Sequence, residues 1–137
     1  MHWLLDTCAL SELVRKKPDP GVLDWLSRHS AESAVSVISI GELQFGVERL
    51  PSGRTRNLLQ HWFEGIGAQF SARILVADEA ILRRYGSLRA SVQAIGRSQE
   101  DLDLILAATA SVHRLALVTR NIRHFQDTGI ELVNPWS

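Results

Sequence analysis

Short apolar runs alternate with longer amphipathic stretches along the chain, and this alternation is the feature that most constrains the fold. The short runs predict buried strands, at residues 2–5, 34–37, 73–76, 115–118 and 130–133. The longer stretches carry apolar residues at helical spacing, and they predict helices at residues 9–15, 21–28, 38–50, 58–70, 78–95 and 102–113, with a helical turn at 121–125. Strands joined by helical crossovers form a mostly parallel sheet with helices on both faces. We therefore predict an α/β fold, a three-layer α/β/α sandwich.

The length and composition are those of one folded domain, spanning residues 1–137. A chain of 137 residues with 45% apolar residues is long enough to bury one core. The 15 basic and 15 acidic residues cancel. No overall positive field exists, and any contact with nucleic acid must come from local basic patches.

Cysteine and histidine usage argues against a disulfide framework and a zinc site. Cys8 is the only cysteine, and the five histidines lack the close pairing of zinc ligands. No apolar stretch is long enough to span a membrane, and Asp6 interrupts the first apolar run, which a signal peptide would not tolerate. We expect a cytoplasmic protein that does not contact the membrane.

Three acidic residues lie where the surrounding pattern predicts the protein interior, and Asp6 is the first. It directly follows the apolar residues 3–5, at the carboxyl end of the first predicted strand. That edge of a parallel sheet is where α/β proteins bind ligands. The alternative is that Asp6 caps the helix that follows it.

Glu42 is the second such acid. Its neighbours one helical turn away are Ile38, Phe45 and Gly46, so it interrupts an apolar stripe and is predicted to point inward. Buried glutamate is rare unless it is paired or bound to a metal ion. The alternative is a salt bridge to an arginine.

Asp103 is the third, one helical turn before Leu106 and Ala107. A position near a helix N-terminus would stabilise its charge, and the alternative is that Asp101 or Asp103 simply begins the helix. Glu100 and Asp101 are expected to face water.

A common explanation for the three acids is a shared cation. Clustered carboxylates repel, which raises their pKa values unless a cation keeps them ionised. Oxygen ligands without cysteine or histidine suit Mg²⁺ or Mn²⁺. Such an ion can activate water and bind phosphate oxygens, so the pattern favours phosphodiester hydrolysis.

Four short motifs resemble those of PIN-domain proteins, and more closely the VapC toxins of bacterial toxin–antitoxin pairs, including the FitB-like branch. The similarity extends from Trp3 to Trp136, and its motifs are Leu4-Leu5-Asp6-Thr7, Gly41-Glu42-Leu43, Asp103-Leu104-Ile105-Leu106-Ala107-Ala108-Thr109-Ala110 and Leu117-Val118-Thr119-Arg120-Asn121. The resemblance implies a PIN-like fold and a metal-dependent endoribonuclease. It also implies that Asp6, Glu42 and Asp103 are the metal ligands.

The same resemblance assigns roles to neighbouring positions. Asn121 stands where relatives have a further acid or asparagine, and His124 where many have aspartate. Thr7 and Thr119 would orient ligands or water, or alternatively cap the next turn. Cys8 stands where asparagine is common, and we expect a packed thiol without a nucleophilic role.

An RNA substrate is implied by the resemblance, and arginines are the candidate contacts. Arg83, Arg84, Arg89 and Arg97 give the long predicted helix and the following loop a basic character, and Arg120 and Arg123 flank the proposed site. The alternative is that the long helix simply presents a solvated face.

The resemblance also implies a homodimer and a VapB-like antitoxin bound in an apolar groove, with larger assemblies that include DNA. Trp25, Leu26, Trp62 and Phe63 are candidates for that groove, or alternatively for the core.

Two other functions compete. An aspartyl-phosphate phosphatase also begins with a strand that ends in aspartate, but it needs a second aspartate where this chain has Cys8. A non-catalytic PIN scaffold would act through its antitoxin, in complex formation or DNA-bound autoregulation. Asn121 and His124 are the residues that favour the scaffold.

Overall fold

The computed structural model describes residues 1–137 and contains one five-stranded sheet with six α-helices. The strands are β1 (Trp3–Leu5), β2 (Ser33–Ser36), β3 (Ile74–Leu75), β4 (Ala116–Val118) and β5 (Leu132–Val133). The helices are α1 (Thr7–Glu12), α2 (Pro20–His29), α3 (Val37–Glu48), α4 (Arg54–Gln69), α5 (Glu79–Ala94) and α6 (Asp101–His113). No helix is both long and apolar enough to cross a lipid bilayer.

All strand pairs are parallel, and the strand order is β3-β2-β1-β4-β5. Successive side chains on a strand point to opposite faces of a sheet. Leu4 accordingly packs with the apolar residues of α5 and α6, whereas Leu5 packs with those of α1 to α4. The sheet is therefore covered on both faces, which confirms the predicted three-layer α/β/α architecture.

The element boundaries differ from the sequence prediction mainly at α1, α4 and the outer strands. Helix α1 begins at Thr7 because Asp6 caps it, and it ends at Glu12, where the prediction gave 9–15. Helix α4 begins at Arg54 and not at 58, because its polar, exposed first turn carries no apolar periodicity. The edge strands β3 and β5 have two residues each, since each pairs with a neighbour on one side only.

Two strand-to-helix junctions bring candidate residues to one edge of the sheet. Strand β1 leads through Asp6 into α1, and β2 leads through Ser36, whose hydroxyl accepts from the Ile38 N–H at 3.0 Å, into α3. Strand β4 ends immediately before Thr119. Because the strands are parallel, these carboxyl ends lie at the same edge of the sheet.

Candidate active site

Asp6 lies at the carboxyl end of the central strand and is buried, with 6% of its surface exposed. Its Oδ1 accepts from the Ala9 N–H at 2.9 Å, so the predicted alternative of a helix cap is confirmed. The Cys8 thiol lies 3.0 Å from each carboxylate oxygen and donates to the group. Burial raises the pKa of Asp6, against the opposing effect of hydrogen bonds from Cys8, Thr119 and Ala9.

The Cys8 thiol acts as a neutral hydrogen-bond donor to this carboxylate. Burial, followed by the nearby charge of Asp6, raises the pKa of Cys8 to about 12. The thiol is thus protonated at neutral pH and is a poor nucleophile. An aspartyl-phosphate phosphatase would need an acid at this position, and the structure places a neutral donor there.

Thr119 is fully buried beside Asp6, as the pairing of Leu5 with Val118 requires. Its Oγ1 accepts from the Asn121 N–H at 3.0 Å, which confirms the alternative that Thr119 caps the next turn. Asn121 itself is exposed. Its side-chain amide is therefore free to contact water or substrate near Thr119.

Glu42 is exposed on α3, so the prediction that it points inward was wrong. The inner face of α3 carries Ser39, Leu43 and Val47. No arginine pairs with Glu42, and its Oε1 instead accepts from the Thr7 hydroxyl at 2.6 Å. Thr7 thereby links the start of α1 to α3.

Asp103 lies half-buried in the first turn of α6, which begins at Asp101. Its Oδ2 lies 3.2 Å from Nδ1 of His124. Burial raises the pKa of Asp103, His124 opposes that effect, and the negative charges of Glu100 and Glu42 raise it further. Glu42 and Asp103 therefore lie within each other's electrostatic field. Glu100 and Asp101 are exposed, as predicted.

The three acids form separate hydrogen-bonded pairs and not a closed cage. Asp6 pairs with Cys8, Glu42 with Thr7, and Asp103 with His124. No three histidine, cysteine, aspartate or glutamate side chains converge as a ready metal site. The chemistry of the donors nevertheless fits Mg²⁺ or Mn²⁺, because a divalent cation would offset the burial that raises the pKa values of Asp6 and Asp103. It would also offset the repulsion from Glu100 and Glu42 that raises the pKa of Asp103 further.

An apolar groove of about 750 Å³ opens beside Thr7 and Glu42. Its walls come from α1, α3, α4, the start of α6 and the residues just after α1, and its apolar lining includes Val14, Ile38, Phe45, Leu59, Trp62 and Leu102. Phe45 is 68% exposed. This groove leads directly to two of the candidate site residues.

Of the four residues predicted for an apolar groove or the core, only Trp62 lines this groove. Leu26 and Phe63 are buried in the core, and Trp25 packs edge-on against Trp3 at 5.3 Å between ring centroids. Phe45 was missed as a lining residue because it was assigned to an inward-facing stripe. The available signal was the composition of α3, which has more apolar residues than one buried face can hold.

None of the predicted RNA-contacting arginines on α5 or in the loop after it bonds to the candidate acids. Each has another partner, in the pairs Arg83–Glu79 at 3.0 Å, Arg84–Ser111 at 3.0 Å, Arg89–Tyr85 at 3.2 Å and Arg97–Asp127 at 2.9 Å. Arg120 differs, because it is exposed and its backbone lies against Cys8. Arg120 directly follows Thr119, and its backbone contact with Cys8 brings it close to Asp6.

Comparison with known proteins agrees with this fold and arrangement. A family model described as PIN domain matches residues 3–131. The chain is 33% identical over 135 residues to VapC ribonuclease Y4jK of Sinorhizobium fredii, covering 97% of this chain and 96% of the relative. It is 34% identical to toxin FitB of Neisseria gonorrhoeae, covering 97% of each.

The solved structure of FitAB bound to an IR36 DNA fragment contains a chain with the same fold. It superposes with a TM-score of 0.93 at 31% identity, covering 98% of this chain and 96% of that one. Agreement over nearly the whole length of both chains excludes a match limited to a common α/β core. By its sequence and its fold, the protein belongs to the PIN domain family.

Proposed function

We propose that this chain is a Mg²⁺- or Mn²⁺-dependent endoribonuclease and the toxin of a toxin–antitoxin pair. The observation that carries the proposal is the position of Asp6, a buried carboxylate at the carboxyl end of the central strand, beside Thr119. Relatives at 33% and 34% identity are named as a ribonuclease and a toxin, which supports the same activity.

In this proposal Asp6, Glu42 and Asp103 hold the ion. When bound, the ion would lower the pKa of a water molecule and bind phosphate oxygens of the RNA. All three side chains supply oxygen donors, which these ions prefer. Asn121, which stands where relatives have a further acid or asparagine, is neutral. It therefore adds a carbonyl oxygen or orients water without adding charge.

The chain's own hydrogen bonds fix the direction of each acid. Cys8 and the Ala9 N–H hold Asp6, the Thr7 hydroxyl holds Glu42, and His124 holds Asp103. Partners of this kind orient ligands and tune their affinity for a metal ion. Arg120, exposed beside Thr119, is placed to contact a phosphate of the substrate.

The apolar groove is the proposed site for a VapB-like antitoxin. An amphipathic segment fits such a groove through apolar side chains on one face. Occupation of the groove would place the partner beside Thr7 and Glu42, and so block the approach of RNA. The FitAB complex with DNA supports a regulatory assembly that includes antitoxin and DNA. We further propose that the protein forms a homodimer and is located in the cytoplasm.

The decisive experiment compares wild type, Asp6→Asn and Asp78→Asn on total cellular RNA, with Mg²⁺ and with a chelator. Asparagine also caps helices, so Asp6→Asn keeps the fold while removing the charge. Asp78 caps α5 through Ile81 just as Asp6 caps α1 through Ala9, which makes it a matched control. Wild type and Asp78→Asn should cleave RNA, and a chelator should abolish that cleavage.

Asp6→Asn should lose more than roughly 100-fold in rate, because even residues that only support metal ligands cost up to that much. Equal cleavage by wild type and Asp6→Asn would contradict the proposed site. Binding of Mg²⁺ by wild type without any cleavage would favour a non-catalytic scaffold. Asn121 and His124, which bring no carboxylate to their positions, are the residues that favour that second function.

A further inference from the structure

Residues 134–137 dock at the end of α1 that lies farthest from Asp6. The indole Nε1 of Trp136 donates to Oε1 of Glu12 at 2.9 Å, although 124 positions separate the two residues in sequence. The Trp136 backbone N–H donates to Oδ1 of Asn134 at 3.0 Å, which turns the chain and aims the indole at α1. A long-range hydrogen bond therefore ties this segment to α1.

Glu12 is an unusual residue at its position, because only 2% of its surface is exposed and Ala9 and Leu10 beside it are fully buried. Besides Trp136, its carboxylate accepts from Arg15 at 3.2 Å and from the Asp19 N–H at 3.4 Å. Burial acts to raise the pKa of Glu12, but the hydrogen bonds from Trp136, Asp19 and Arg15 outweigh it and the pKa is lowered. Glu12 is thus a buried carboxylate that accepts from three donors.

Asp19 provides a second attachment for the same segment. Its Oδ1 caps α2 through the Gly21 and Val22 N–H groups, at 2.8 and 3.2 Å. The Ser137 hydroxyl lies 3.2 Å from each of its carboxylate oxygens. The Pro135 carbonyl passes so close to Gly21 that a Cβ there would lie 2.5 Å from it. The segment packs against the corner between α1 and α2, and no residue larger than glycine fits at position 21.

Stability alone does not explain a carboxylate at position 12. An apolar side chain of similar volume in place of a buried charge is often neutral or stabilising. What such a side chain lacks is a directional hydrogen bond. Direction is important here because α1 has six residues, and helices this short have no stability of their own. Their position depends on contacts made at their two ends.

We propose that the contact between Glu12 and Trp136 positions α1, so that Asp6 and Thr7 at the other end of the helix keep their places in the active site. Glu12 and Trp136 are positioning residues, since neither contacts the candidate acids. The inference rests on the proposed function only insofar as Asp6 and Thr7 take part in RNA cleavage.

The test uses Trp136→Phe, which keeps an aromatic ring but removes the indole N–H. Trp25→Phe is the matched control, because Trp25 is half-buried against the same apolar cluster and packs on Trp3 without bonding to α1. The first readout is hydrogen exchange of the Ala9 amide, which donates to Asp6, relative to the buried Leu106 in α6. This ratio separates local opening of α1 from global unfolding.

We expect the Ala9 to Leu106 exchange ratio to rise about tenfold in Trp136→Phe and to stay unchanged in Trp25→Phe, as loss of one hydrogen bond to a charged group implies. In RNA cleavage, kcat should fall about tenfold with KM unchanged, because the substrate contacts remain. Glu12→Gln, which keeps an oxygen for Trp136, should lie closer to wild type than Glu12→Ala in both measurements.

An unchanged exchange ratio in Trp136→Phe would overturn the proposal, whether both amides keep their rates or both accelerate equally. A normal kcat despite faster Ala9 exchange would also overturn it. Wild type that cleaves no RNA would instead contradict the proposed function. The exchange ratio would then still decide whether Trp136 controls the surroundings of Asp6.

Discussion

The Thr7 hydroxyl donates a 2.6 Å hydrogen bond to Oε1 of Glu42, and it thereby joins the first residue of α1 to the exposed face of α3. Hydrogen bonds from hydroxyl to carboxylate are short and strong because the acceptor is charged. Glu42 has no other protein donor, so this bond sets the direction of its carboxylate. Helix α1, which Asp6 caps, and helix α3, which carries Glu42, are therefore coupled through one hydroxyl group.

Thr7→Val should reduce RNA cleavage about tenfold, since Glu42 would lose its orienting partner while the β-branched shape is kept. The thermal midpoint should change little, because the bond lies at the surface. Thr7→Ser, which restores the hydroxyl, should recover most of the rate. Initial rates on a defined RNA check this, and equal loss in both variants would show that the hydroxyl is not the important group.

The stability of Asp6→Asn relative to wild type should depend on pH. Burial raises the pKa of Asp6 above its ordinary value of 3.8, so the protonated form is favoured in the folded state. This stabilising contribution is fully present below about pH 3.8, and it is lost as the pH rises through the pKa of the folded state. The side-chain amide of Asp6→Asn does not titrate, so the variant does not lose stability in this way as the pH rises.

The advantage of Asp6→Asn in free energy of unfolding should consequently grow as the pH rises through the pKa of folded Asp6. Urea denaturation of both proteins from acidic to neutral pH, without divalent ions, measures it. Addition of Mg²⁺ at neutral pH should stabilise wild type and not the variant, by about 2.7 kcal/mol at 100 times Kd. An advantage that shrinks as the pH rises would contradict the burial argument.

Phe45→Ser should weaken binding of the cognate antitoxin at least about tenfold, because an exposed aromatic in a groove is a typical anchor residue. The fold should be retained, since 68% of Phe45 is exposed. Leu58→Ser is the matched control, as Leu58 is 60% exposed on α4 but does not line the groove. Calorimetric titration with the antitoxin measures the affinity of both variants. Equal losses of affinity in Phe45→Ser and Leu58→Ser would place the binding site elsewhere.

Arg120→Gln should weaken RNA binding and reduce the slope of log affinity against log salt by about 0.7, the value for one phosphate contact on a single strand. Arg83→Gln should have a smaller effect on that slope, because Glu79 offsets the charge of Arg83 at 3.0 Å. Both slopes are measured from the binding of a fluorescent RNA at several salt concentrations, with a chelator present to prevent cleavage. A larger change in Arg83→Gln would locate the phosphates on α5.

Most of the fold could be predicted because its strands and crossover helices have strong patterns. The runs that became β1 and β4 are continuously apolar, as expected for strands covered on both faces. The start of α4 was missed because its first turn faces water and carries no apolar periodicity. Boundaries set by solvated turns leave no hydrophobic signal.

The site was harder to predict because α3 has apolar residues on two sides. Ser39, Leu43 and Val47 face the core, whereas Ile38 and Phe45 border the groove on either side of Glu42. Periodicity finds an apolar stripe but does not say whether the protein or a partner covers it. The contact between Glu12 and Trp136 was also missed, because no local pattern connects residues so far apart in sequence.

The strand order has a consequence for biosynthesis. Strand β1 is made first but lies between β2 and β4, so one of its two neighbours does not exist until residues 116–118 have been translated. Asp6 cannot meet Thr119 before that point, by which time α6 with Asp103 has already been synthesised. A nascent chain therefore cannot assemble the proposed active site until late in translation, after nearly the whole chain has been synthesised.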